Sequence, residues 1–334
     1  MKTITRHLGT WALCATAMTA FATGADAKTV LRFAHMNSPT HVVQLAGERL
    51  KAAVEERTKG EVEIALFPSG QLGSNSQVAE QISLGGEIIG HMGTPNLADY
   101  NPDYQVTTYP FMFQDFDELM EFMKTPLVRD MEKVVEEKNL KVMCYFAFGV
   151  RDLYTRETEV HSPEDMQGLK IREQPLPLYI ELAKQAFTAV PTPLPWPEVY
   201  NALAVGVVDA AEAPPSAMLD QKHNEHVKYY MTTNHIHDVS TFTTSAAAMN
   251  ALSDENRAIV TEETRKACDW ITDQVKASYE SDVAKVEASG VKIVRDIDRA
   301  AFAAGAAGIY KAFPDWTPGL YDRAREEVEK IRAR

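Results

Sequence analysis

The apolar and polar positions fall into blocks whose period changes along the chain. Thr29 to His35 reads as a first strand. Ser38-Pro39-Thr40-His41 opens a helix that runs to about Lys59 and ends at Gly60. Glu61 to Phe67 alternates and predicts a second strand, followed by a turn at Pro68-Ser69-Gly70-Gln71-Leu72-Gly73. A helix from about Ser76 to Leu84 and a short strand from Ile88 to Gly93 complete a βαβαβ rhythm, the pattern of a sheet wound with helices. Asp115 to Lys138 is helical in pattern, and Leu140 to Val150 is a strongly apolar strand.

A second block starts at Arg151. It predicts a strand near Leu153 to Glu157, a strand at Leu169-Lys170-Ile171-Arg172 and a helix from about Pro177 to Phe187. A Pro-rich loop from Pro191 to Pro197, a helix from Glu198 to about Val205 and a short strand at Val207-Val208-Asp209-Ala210 follow. The chain from Asn250 onward is mainly helical, with one strand at Val291 to Val294. Two α/β units of similar size, each with its own sheet, predict a cleft between them. Such clefts, at the carboxyl ends of strands, are where ligands bind.

Composition changes this picture in three places. With 334 residues, 45% of them hydrophobic, the chain has ample material for a large core or two modest domains. Its 24% charged residues and lack of Ser, Gly or Gln tracts argue against disorder. The first residues stand apart: Lys2 and Arg6 precede an apolar, Ala-rich stretch from Leu8 to about Thr23, and Ala25-Asp26-Ala27 is a small-x-small site. Residues 1–27 therefore read as a secretory signal cleaved after Ala27, which places the mature protein in the periplasm. The stretch is too short and interrupted for a membrane anchor, and Leu13 before Cys14 is too bulky for a lipoprotein site.

The formal net charge is -13, and loss of a leader carrying Lys2, Arg6 and Asp26 makes the remainder more negative still. That balance argues against nucleic acid and anionic lipid as partners. An acidic protein that binds an anion needs a locally positive pocket, so isolated arginines in apolar surroundings are the place to look. Of 3 cysteines, Cys144 and Cys268 remain after cleavage. One disulfide is possible in an oxidising compartment, but Cys144 lies in the apolar run Val142 to Phe146, and a buried free cysteine is the expected state.

Arg172 ends one predicted strand and Arg151 stands just past the end of another. A guanidinium offers a planar fork of N–H groups to a carboxylate and stays charged. The alternative for either arginine is a structural ion pair with a carboxylate such as Glu173 or Glu212.

These residues belong to a set of ordered motifs. Gly149-Val150-Arg151 is followed by Ser162-Pro163-Glu164-Asp165-Met166-Gln167-Gly168-Leu169-Lys170-Ile171-Arg172. Then come Pro191-Thr192-Pro193-Leu194-Pro195-Trp196-Pro197-Glu198-Val199-Tyr200-Asn201-Ala202-Leu203 and Gly206-Val207-Val208-Asp209. Together with Glu55 to Gly60, Phe67 to Gly73 and Tyr109 to Phe113, the chain resembles the DctP-type solute receptors of tripartite ATP-independent periplasmic (TRAP) transporters over nearly all its mature length.

The resemblance implies an α/β fold of two domains joined by a hinge, with the ligand in a cleft between them. Crossing strands and a long C-terminal helix make the domains discontinuous: 28–150 plus about 238–277, and 151–237 plus about 278–334. It implies that Arg172 clamps a ligand carboxylate, that Arg151 is a second cationic contact and that Trp196 flanks the ligand. One position departs from the family pattern. Where members often read Asp-Gly-Gln-Glu-Asn-Pro, this chain has Asp209-Ala210-Ala211-Glu212-Ala213-Pro214, so Ala213 replaces a ligand-contacting Asn. The second polar contact is expected from Glu212 or Ser216.

From the other unit, His35 and Asn37 follow the first strand, Gln71 and Glu80 come from the next turn and helix, and Asn96 follows the third strand. Imidazoles and amides suit a hydroxylated ligand, although a cap or surface role is the blander account of each. His223 and His226, with His235 and His237, have residue types a metal site could use but read as a solvated helix face. Phosphate-cradling glycine motifs and a Gly-x-Ser-x-Gly elbow are absent. The expected function is therefore capture of a small organic acid and delivery to a TRAP permease driven by an ion gradient, with no cofactor, no catalysis and no nucleic acid. A sugar acid, an aldonate or uronate, is the expected ligand; C4-dicarboxylates and other organic acids are the alternative. A hydrolase or lyase using Glu80, Glu212 and a histidine is the alternative of another class, distinguished by turnover. The apolar run Ala300 to Ile309 packs within a monomer or supports a dimer, and the resemblance favours the monomer.

Overall fold

The computed structural model describes residues 28–334. The proposed leader and Cys14 lie outside the described residues. The first wing opens with β1 (Thr29–Ala34), α1 (Val42–Arg57), β2 (Val62–Phe67), α2 (Asn75–Ser83) and β3 (Ile88–Gly93). The βαβαβ rhythm is thus present, and β1 pairs in parallel with both β2 and β3. Leu31 and Phe33 point inward and are fully buried, as alternation requires. Asp115 to Lys138 is two helices, α3 (Phe116–Phe122) and α4 (Pro126–Glu136). Pro126 lacks the N–H that a continuous helix needs, so the helix restarts there with proline in its first turn.

The largest departure from the sequence reading is β4 (Leu140–Thr155), one strand of 16 residues where two elements were expected. It is followed by β5 (Lys170–Glu173), α5 (Pro177–Gln185), β6 (Val190–Pro193), α6 (Val199–Ala204), β7 (Ala210–Ala213) and α7 (Pro215–Asp220). A second long strand, β8 (Tyr229–Ser245), was not anticipated. Then come α8 (Ala246–Ala251), α9 (Asp254–Ala288), β9 (Lys292–Val294), α10 (Arg299–Ala306) and α11 (Leu320–Arg332).

The nine strands form one sheet, in the order β2-β1-β3-β8-β4-β7-β5-β6, with β9 on β8. Two separate sheets were expected. They are fused because β4 and β8 pair antiparallel along their lengths and each reaches into both wings: β8 also pairs β3, and β4 also pairs β7. Register shifts interrupt the β4–β8 ladder between Ala147 and Gly149 and between Arg151 and Leu153. Arg151 therefore sits within a strand, at the irregular waist of the sheet. Gly149 is required there, because a Cβ would lie 2.4 Å from the Pro214 side chain.

Helix α9, 35 residues and about 50 Å long, packs on α1, β4, α7 and β9. A disulfide joins Cys144 of β4 to Cys268 of α9. The expectation of a free cysteine is thereby corrected: the sequence separation of 124 residues hid a partner that the crossing helix brings alongside the strand. Among the described residues no helix is long and apolar enough to cross a membrane.

Candidate functional site

A cavity of about 200 Å³ opens at the waist of the sheet. One wall comes from the first wing: Met36 and Asn37 after β1, Ser74, Asn75 and Ser76 at the start of α2, His91 and Gly93 on β3, and Pro95 and Asn96 beyond it. The facing wall holds Arg151, Arg172, Gln174, Tyr179, Trp196 and Ala213. Phe148, Asp238 and Ser240, from the two long strands, form the floor between them.

Arg172 ends up here because β5 alternates: Ile171 and Glu173 turn to one side of the strand and Arg172 to the other. It is 2% exposed. Its Nε and Nη2 donate to the Leu194 carbonyl at 3.0 and 2.8 Å, and its Cζ lies 5.2 Å from the Trp196 ring centroid. Nη1 has no protein partner among the described residues, so the end of the fork formed by Nη1 and Nη2 remains available to a carboxylate. Burial lowers its pKa, but a guanidinium remains charged at any physiological pH.

Arg151 is differently placed. Nε and Nη2 both donate to the Glu212 carboxylate, the second at 2.5 Å, while Nη2 also reaches the Glu212 carbonyl at 3.0 Å and Nη1 donates to Asp238 Oδ2 at 2.7 Å. Four of its five N–H groups are thus engaged with protein. Glu212 is fully buried and also 3.2 Å from His235 Nε2. Burial by itself would raise its pKa, yet the Arg151 charge holds it down to about 2. Glu173, equally buried, has no donor within reach. Burial, then the neighbouring Glu212 charge, pushes its carboxyl far above the usual range, so it stays protonated.

The first-wing wall is neutral and polar. Asn37 Nδ2 donates to His91 Nδ1 at 3.4 Å, and Asn75 Nδ2 donates to Asn96 Oδ1 at 3.3 Å. Burial drives the His91 imidazole well below its ordinary pKa, so it is neutral, and its ring stacks on Phe148 with centroids 5.3 Å apart. With Nδ1 accepting from Asn37, the ring proton sits on Nε2, which has no partner among the described residues.

Of the residues expected at the site, Arg172, Arg151, Trp196, Asn37 and Asn96 line this cavity. Glu212 lies behind it, bound to Arg151. His35 is buried and hydrogen-bonded to Gln44 Oε1 at 2.9 Å. Gln71 and Glu80 are exposed, and Ser216 sits in the first turn of α7, away from the lining. His223 starts a short 3₁₀ turn rather than an exposed helix face, and is buried against Tyr154 and Trp196. Sequence reasoning missed His91, Gln174, Tyr179 and Asp238. The signals available were a lone His in the apolar run Ile88 to Met92 and a lone acid in the Thr-rich, strand-forming stretch Thr232 to Thr244.

The profile of DctP, bacterial extracellular solute-binding protein family 7, matches residues 33–315. The chain belongs to that family. Family 7 proteins bind small organic acids and work with TRAP membrane components, as the sequence resemblance implied. The 2,3-diketo-L-gulonate-binding periplasmic protein of Escherichia coli is 31% identical over 294 residues, 88% of this chain and 89% of that protein. A TRAP periplasmic solute-binding protein from Fusobacterium, solved with bound sn-glycerol-3-phosphate, superposes with a TM-score of 0.88 at 32% identity, covering 91% of this chain and 98% of that one. Another, from Actinobacillus succinogenes with bound L-galactonate, gives a TM-score of 0.86 at 27% identity, covering 90% and 100%. The fold of this family 7 chain is thus the two-domain α/β fold of TRAP periplasmic binding proteins.

Proposed function

We propose that this family 7 protein captures a sugar acid, an aldonate or uronate, in the periplasm and passes it unchanged to a TRAP permease. The observation that carries this reading is the contrast between the two walls. One presents a single guanidinium edge without a carboxylate partner, beside an aromatic ring. The other presents amides whose remaining donors and acceptors suit hydroxyl groups, each of which both donates and accepts, beside a neutral imidazole ring. Arg172 holds the carboxylate; Trp196, Asn37, Asn96 and His91 surround the polyol. The bound galactonate of the Actinobacillus structure supports the same ligand class.

In this reading the two lobes are 28–150 plus about 238–277 and 151–237 plus about 278–334, hinged where the β4–β8 ladder is irregular. Residues 1–27 direct export and are removed, and the mature receptor acts as a monomer. Closure of the lobes drives water from the cleft and strengthens the Arg172 pair. A second reading, a polyol phosphate, draws on the glycerol phosphate of the Fusobacterium structure.

A thermal-shift screen followed by calorimetry tests the choice, using aldonates, uronates, C4-dicarboxylates, keto acids, polyol phosphates and neutral sugars. Stabilisation by aldonates or uronates supports the proposal. Stabilisation by phosphates, by C4-dicarboxylates or by neutral sugars alone overturns it, as does chemical conversion of the bound acid.

A further inference from the structure

Resting on the sugar-acid reading, we infer that Asp238 is a specificity residue that rejects acids carrying a second carboxylate. Asp238 is 4% exposed, sits on β8 at the waist of the sheet and lines the cavity. Its Oδ2 accepts from Arg151 Nη1, and no side chain among the described residues donates to Oδ1. The Val239 backbone N–H also supports this carboxylate, and a buried carboxylate with an oxygen free of side-chain donors is a good acceptor for a ligand hydroxyl and a poor neighbour for another anion.

The distribution of charge fixes the sign of this effect. Arg151 faces two carboxylates, Glu212 and Asp238, so that cluster carries one surplus negative charge. Arg172 makes no ion pair within the protein, its hydrogen bonds going to a backbone carbonyl. Arg172 is therefore the one arginine of the lining without a carboxylate partner among the described residues, enough for one ligand carboxylate. In the order β8-β4-β7-β5 the strands of Asp238 and Arg172 are three spacings apart, about 14 Å of backbone. The long Arg172 side chain shortens that gap, and a six-carbon acid anchored at Arg172 directs its far end toward the Asp238 side. A hydroxymethyl, hydroxyl or aldehyde-level carbon there meets an acceptor. A carboxylate there meets a like charge in a site of low dielectric, with Arg151 already neutralised. Specificity of this kind comes from a repulsive element as much as from the attractive one.

Matched aldonate and aldarate pairs separate the two ends, because gluconate and glucarate, or galactonate and galactarate, differ only in oxidation at the terminal carbon. Affinities for both members of each pair are measured by calorimetry on the mature wild-type protein and on Asp238→Asn. The expected wild-type result is at least 30-fold tighter binding of the aldonate in the pair that binds best, narrowing at least fivefold in D238N, which keeps a side-chain acceptor for Arg151 but removes the charge. Wild-type affinity for the aldarate equal to that for the aldonate overturns the inference while leaving the sugar-acid site intact. An unchanged ratio in D238N overturns it too. Binding of neither member of any pair overturns the sugar-acid reading itself, and this inference with it. Should D238N fail to fold, the wild-type ratio decides alone.

Discussion

Two arginines of the same wall, 21 positions apart, show how little residue type says about role. Arg172 has a free fork edge in a buried cavity, whereas Arg151 is held by Glu212 and Asp238. Their substitutions should separate cleanly. Arg172→Ala is expected to weaken ligand binding by about 100-fold or more in calorimetry, with a urea midpoint close to wild type. Arg172→Lys should also bind poorly, because one ammonium cannot hold the Leu194 carbonyl and offer a planar pair to a carboxylate. Arg151→Ala is expected to cost about 3–5 kcal/mol of stability in urea unfolding, since it leaves two buried carboxylates without their cation. If R151A unfolded at the wild-type midpoint and lost only affinity, the structural assignment of that cluster would fail. The motif around Arg172 was legible in the sequence. For Arg151 the sequence offered Glu212 only as an alternative structural partner and did not show Asp238 at all, because these carboxylates lie 61 and 87 residues away along the chain.

The two long strands and α9 decide how the elements join. At the sequence break expected at Arg151 the backbone passes on without leaving the sheet, and just beyond it β4 gains β7 as a second neighbour. A one-dimensional pattern shows the change of burial and cannot show that β8 continues on both sides. Gly149 marks the crossing point, and Gly149→Ala should be destabilising by about 1–3 kcal/mol through the clash with Pro214, measurable as a lower thermal midpoint. The Cys144–Cys268 bridge ties β4 to α9 across 124 residues. Replacing both cysteines by serine is expected to lower stability by about 2–4 kcal/mol, chiefly by freeing the unfolded chain, and a reducing agent should produce the same shift in the wild type and none in the double mutant.

At the scale of the molecule, buried neutral histidines make stability depend on pH. Burial lowers the pKa of His41 to about 4 and of His223 to about 3. The unfolded chain takes up these protons near pH 6.5, so the stability is present above that value and is lost as pH falls toward the folded pKa. Each contributes a slope of about 1.4 kcal/mol per pH unit in that window. Asp152 acts in the opposite direction: burial raises it to about 7, so its contribution weakens as pH rises from about 4 to 7. Burial also lowers His35, His91, His235 and His237 and raises Glu132, Glu173 and Asp238, so six histidines oppose four carboxyls and the thermal midpoint should fall from pH 7 to pH 5. His223→Gln should flatten that profile by about one proton. A profile rising toward pH 5 would contradict the buried neutral state. Outside the cavity lining, Asp220 of α7 accepts from Ser38 Oγ and, at 3.1 Å, from the Ser38 backbone N–H. Asp220→Ala is expected to speed ligand release in stopped-flow measurements, because these contacts join segments assigned to opposite lobes and touch no part of the cavity lining.

The sequence by itself determined the alternation of strands and helices in the first wing, the motifs of the second and the arginine suited to an anion, because these depend on side-chain periodicity and on residues close together in the chain. Only the tertiary structure decided that the sheet is continuous, that the cysteines meet, that Arg151 is neutralised and that His91 and Asp238 reach the cavity. Those outcomes depend on pairings between strands tens of residues apart, and on burial that sets which charges survive unpaired.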